Sequence, residues 1–69
     1  MPSAYAFWVG QEVILQVAAA ELCVPLRGVI IGESESTLLF RVGEGGDLDI
    51  YKHMILAVEQ DSRAGVLVN

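Results

Sequence analysis

The chain is poor in basic side chains: four Lys and Arg stand against nine Asp and Glu, a formal net charge of −5 with the single histidine neutral. Such a surface repels a phosphate backbone on average, which argues against a generic electrostatic nucleic-acid binder, so any contact with RNA has to be local. One cysteine rules out a disulfide framework within the chain and fits a reducing compartment. Cys23 lies in the apolar stretch Leu22-Cys23-Val24 and reads as a small buried hydrophobe rather than a catalytic thiol, since His53 is the only histidine that could act as its base. One His, one Cys and scattered carboxylates supply no set of nucleophile, base and orienting group, and their spacing fits no zinc motif. No enzyme activity, metal or cofactor is expected. No apolar run reaches the roughly 18 residues of a membrane span, because Glu12, Gln16, Glu21 and Arg27 interrupt the longest candidate. Met1-Pro2-Ser3 lacks the basic start of a signal peptide. The expectation is a soluble, cytoplasmic protein. Low-complexity tracts, internal repeats and linkers are also absent, so residues 1–69 are read as one domain, with a core over about 8–60 and a tail over 61–69.

What the chain has in abundance is apolar side chains, 54% of its 69 residues. A domain this small removes only about 60% of its unfolded-chain surface from water. Without disulfide or metal, the usual remaining support is another subunit, and an oligomer is expected. The apolar residues fall in short runs. Val13, Leu15 and Val17 alternate with Glu12, Ile14 and Gln16, the period of two of a first strand. Before it, Ser3 is placed to cap a short turn through Phe7-Trp8 that Gly10 ends. Residues Ala18 to Glu21 are too few to nucleate a helix and are read as a widened hairpin loop.

A second strand follows from about Leu22 to Ile31, with Pro25 forfeiting one ladder hydrogen bond and Gly28 read as a kink. Glu33-Ser34-Glu35-Ser36 is a turn, and residues 37–42 are a third strand with Leu38, Phe40 and Val42 on one face. Gly43-Glu44-Gly45-Gly46-Asp47 is the strongest turn signal; flanked by acids and followed by no helix, it is not a phosphate cradle. The fourth strand is placed from about Leu48 to His53, a tight step at Met54, and the fifth from Ile55 to Glu59. Gly65-Val66-Leu67-Val68 is read as a further strand against an open edge. The fold class is all-β, a small five-stranded, strongly bent barrel of the SH3, OB or Sm type. Pattern alone does not choose among the three.

Two segments narrow the choice. The stretch from Trp8-Val9-Gly10 into Val13–Val17, followed by Val24-Pro25-Leu26-Arg27-Gly28-Val29-Ile30-Ile31, resembles the opening of Sm-like proteins, where an apolar-Gly-polar step leads into strand one and a glycine sits within a bent strand two. Ile50-Tyr51-Lys52-His53-Met54-Ile55 resembles the Tyr-Lys-His signature in the second Sm motif of the bacterial RNA chaperone family Hfq. The resemblance covers roughly residues 8 to 60. It implies a barrel whose strand four pairs with strand five of the next subunit, closing a homo-oligomeric ring: a hexamer first, with pentamer and heptamer as alternatives. It also implies that Lys52 and His53 face a central pore and help bind uridine-rich RNA. Arg27 is a candidate for the opposite face and for U-rich or A-rich single strands, while Tyr51, Ile50, Ile55, Leu56 and Val58 are candidates for the subunit interface.

The chain departs from the family at the base pocket. Counting from Gly28, Ser34 stands at the family's Asp position, Ser36 where Hfq has an aromatic that stacks on the base, and Leu38 where Sm proteins have Asn. Stacking is worth about 1–3 kcal/mol per base. Glu33, Glu35, Glu44, Asp47 and Asp49 make the surrounding loops acidic. The leading expectation remains an Sm-like ring that binds single-stranded RNA through Lys52 and His53, as an RNA chaperone or in RNA metabolism; the alternative is an Sm-fold oligomeric scaffold or protein-interaction module that has lost RNA binding.

Overall fold

The alternation over residues 12–19 becomes an inner strand of a single sheet in a computed structural model that describes residues 4–61. The strands are β1 (Glu12–Ala19), β2 (Leu22–Glu33), β3 (Thr37–Arg41), β4 (Asp47–Tyr51) and β5 (Ile55–Gln60), all antiparallel, in the order β4-β3-β2-β1-β5. Single 3₁₀ turns cover Ala6–Trp8 and Lys52–Met54. The all-β class and the five strands agree with the expectation. Among the described residues the sheet is not closed: β4 and β5 lie at its two edges with no ladder between them.

The sheet is nonetheless strongly curled, and the chain itself requires it. In a flat sheet the two outer strands of five lie about 19 Å apart at 4.8 Å per strand. The four steps from Tyr51, the end of β4, to Ile55, the start of β5, reach at most about 14 Å even when extended, and three of those residues are wound into a 3₁₀ turn. The edges must therefore approach each other at this corner. The turn fills the corner, which is why ladder bonds do not close it.

Gly28 allows the curl. It pairs with Val13 of β1 on one side, and a Cβ added to it would collide with the Arg41 carbonyl oxygen and lie 3.0 Å from Phe40 Cζ. Only a residue without a side chain lets β2 pass this close to β3. Two register shifts add to the bending, one in β2 between Ile30 and Gly32, the other where β5 pairs with β1 around Gln16 and Val17. The unpaired residues at these shifts are Ile31 and Leu56, and both are exposed. Inside the curl, Val13, Leu15, Val17, Ile30, Leu38, Phe40 and Ile50 are buried, with Trp8, Val42 and Met54 among the half-buried side chains packed on them.

Three local readings need correction. The β1–β2 connection is not a widened loop: Ala19 pairs directly with Leu22, so Ala20 and Glu21 form a two-residue hairpin. Ala20 has φ +57°, the positive value such turns need to match strand twist, taken here by an alanine. Cys23 is exposed rather than buried, because β2 begins where this hairpin projects beyond the core; its thiol donates to Gln16 Oε1 at 3.3 Å. Lys52 and His53 belong to the 3₁₀ turn and not to the fourth strand. The expected caps and strands at Ser3 and Gly65–Val68 lie outside the described residues.

Candidate functional site

The corner where β4 hands over to β5 brings together the Tyr-Lys-His tripeptide and the β2–β3 turn. Tyr51 pairs with Thr37, and the next residue's backbone N–H, that of Lys52, donates to the Ser36 carbonyl at 2.8 Å. The β2–β3 turn is held by its own polar side chains. Ser34 N–H donates to the Thr37 carbonyl at 2.9 Å, Thr37 N–H donates to Ser34 Oγ at 3.0 Å, and the two hydroxyls share a hydrogen bond of 2.6 Å. Ser34, which stands where the resembled family has Asp, is thus a structural residue of the turn. At its head, Glu33 places its carboxylate Oε2 2.5 Å from Lys52 Nζ.

Tyr51, Lys52 and His53 point to different ends. The Lys52 and Glu33 side chains are only 20% and 18% exposed, and the ammonium also lies 5.8 Å from the Tyr5 ring centroid, within cation–π range. Tyr51 and His53 are turned outward, their rings 5.5 Å apart and inclined by 31°. The corner therefore offers an exposed pair of π faces beside a cation that is already neutralised.

Arg27 is not part of this corner. It lies six residues before Glu33 on β2, about 20 Å away along an extended strand, and its Nη1 is 3.2 Å from Asp61 Oδ1. Arg41 grips Asp47 with two hydrogen bonds, Nε to Oδ1 at 2.8 Å and Nη2 to Oδ2 at 3.2 Å. That hydrogen bonding holds the Asp47 carboxyl below the usual carboxylate range and raises the Arg41 guanidinium further. Arg27, Arg41, Glu12 and Asp61 line an open groove of about 390 Å³, a balance of two basic and two acidic side chains. Every lysine and arginine among the described residues is thus ion-paired.

The candidate interface residues divide. Ile50 is buried in the core of its own chain, and Ile55 and Val58 pack half-buried against that core. Tyr51 and Leu56 remain 56% and 60% exposed. Leu48 of β4, 47% exposed, joins them, although the sequence marks it only as the start of strand four. Glu33 was legible only as part of an acidic turn; nothing in the local sequence pairs it with Lys52, 19 residues on. Among the described residues no cluster of three His, Cys, Asp or Glu side chains suits a metal, and no helix is long and apolar enough to cross a membrane. No protein-family model, curated protein or solved structure matches the chain.

Proposed function

We propose that this chain is an Sm-like subunit that assembles into a homo-oligomeric ring and serves as a scaffold for protein contacts. The observation that carries the reading is the position of β4 and β5. The implied ring needs both as free edges, and among the described residues no strand pairs with the outer side of either, with Leu48, Tyr51 and Leu56 exposed along them. Pairing β4 of one copy with β5 of the next satisfies the open backbone groups of both edges and removes apolar surface from water. The curled sheet with Gly28 at its bend and the Tyr51-Lys52-His53 corner fit the Sm-like resemblance. A protein role is favoured over a nucleic-acid one by the ion pairing of Arg27, Arg41 and Lys52 in a surface where acids predominate. Native mass spectrometry tests the assembly: a single multiple of the subunit, six being the first expectation, supports it, and a monomer at micromolar concentration overturns it.

One observation favours single-stranded RNA as a second reading. The exposed Tyr51 and His53 rings flank Lys52 in sequence and would offer a base stacking faces in place of the aromatic that Ser36 replaces. Fluorescence anisotropy with oligo-U and oligo-A at two salt concentrations separates the readings, since only an RNA-binding ring shows salt-dependent affinity.

A further inference from the structure

We propose that Glu33 is the specificity-determining residue of the β4–β5 corner, the group that turns phosphate-bearing strands away from Lys52. This deepens the scaffold reading and rests on its ring; it names the side chain responsible for the departure from RNA. Lys52 is the only lysine of the chain and stands between Tyr51 and His53 in sequence, with its ammonium turned to Glu33 and the Tyr5 ring while the other two side chains face solvent. Glu33 Oε2 sits 2.5 Å from it, with both side chains four-fifths shielded from water, so added salt screens the pair little. The lysine is also held at its backbone by Ser36, and its ammonium lies over the Tyr5 ring. A phosphate approaching Lys52 has to displace a carboxylate that remains attached beside it, and then bear the repulsion of that carboxylate and of nearby Glu35. A ligand that brings hydrogen-bond donors or a positive charge meets no such penalty. The same corner therefore discriminates by charge, and the sign of the discrimination is set by one carboxylate.

The test uses the intact chain and three variants, with oligo-U as probe. Glu33→Gln keeps the size of the side chain and releases the ammonium. It is expected to bind oligo-U at least about ten-fold more tightly than the parent at low salt, with a steeper salt dependence because each freed lysine adds a phosphate contact. Glu35→Gln removes the same charge from an exposed position of the same turn and is expected to change affinity by less than about two-fold. Adding Lys52→Ala to Glu33→Gln is expected to abolish the gain. Equal gains from Glu33→Gln and Glu35→Gln, or no gain from either in a protein of unchanged native mass, overturn the proposal while leaving the ring intact; a parent that is monomeric overturns the ring instead. Should Glu33→Gln fail to fold, acylation of the parent's sole lysine by an amine-reactive ester decides the matter, followed by mass spectrometry. Acylation about ten-fold slower in the folded than in the urea-unfolded chain supports the lock, and equal rates overturn it.

Discussion

β1 and β5 lie side by side and are both largely apolar, yet they end in different environments. In β1 every second residue from Val13 to Val17 is buried, whereas in β5 no residue is, and Leu56 stands almost as open as a loop residue. The difference is the number of neighbours. β1 has β2 on one flank and β5 on the other, and the curled sheet folds over its inner face; β5 has β1 alone. A similar contrast runs within edge strand β4, where Ile50 reaches the core while Leu48 does not. Hydrophobicity states that a side chain gains by leaving water, about 25 cal/mol per Å² of apolar area. Whether its own chain supplies the cover depends on where the strand falls in the sheet. The inner face of β1 is covered within one copy, and the edges are the part that a second copy would finish.

The largest effect is expected from breaking the inner part at its bend. Gly28→Ala forces a methyl group into the Arg41 carbonyl, and β2 and β3 must separate; a loss of about 3 kcal/mol or more is expected, beyond ordinary overpacking because the obstacle is backbone. Urea unfolding checks it, and an unchanged midpoint would mean that β2 bends elsewhere. Next comes a direct contrast of the two regions. Leu15→Ala, in a fully buried site of β1, should cost about 2–5 kcal/mol. Leu56→Asp, at the exposed register shift of β5, should leave the stability of the isolated subunit within about 1 kcal/mol while reducing native mass to a monomer. Charged substitutions at Ile55 or Val58 are less informative, since both side chains pack on the core and would damage fold and assembly together.

A smaller effect of opposite sign is expected at the hairpin between the inner strands. Ala20 holds φ +57° without the freedom of glycine, and Ala20→Gly should raise stability by about 1 kcal/mol, seen as a higher urea midpoint. The smallest concerns the tie between inner β3 and edge β4. The Asp47 carboxyl is held below its usual range by Arg41, so its contribution is present above the unfolded-state value and is lost as pH falls through the folded-state value. Both groups are open to solvent, and the contribution is small. Urea midpoints of the parent and of Asp47→Asn should differ slightly at neutral pH and converge under acid conditions; a constant difference would separate the effect from the titration of Asp47.

Much of the fold was legible in the sequence, and the parts that were not have a common cause. The five strands and the turn at Gly43–Asp47 follow from local alternation and turn chemistry, and Gly28 stood out as a bend because a glycine within a strand has few other uses. Cys23 was misplaced because an apolar neighbourhood in sequence was taken for one in space, while the hairpin carries it past the core. Ala20 was unexpected at a positive φ because local propensity favours Gly, Asn or Asp there. The candidate site was half legible: the Tyr51-Lys52-His53 tripeptide pointed to the corner, and the acidity of the β2–β3 turn was visible, but not that Glu33 is the residue that takes up Lys52.

Period and composition are local quantities, and they set which residues form strands, which face of β1 turns inward, and that the chain carries more apolar side chains than a small domain covers. Sheet order is not local. It placed β4 and β5 at the two edges, curled those edges toward each other through a three-residue turn, and brought a carboxylate from the end of β2 onto a lysine 19 residues later. Contacts of that kind depend on loop closure and on which strands find each other first, neither of which a period of two encodes. The charge that Lys52 presents is accordingly a property of the packed sheet, decided by its neighbour in space.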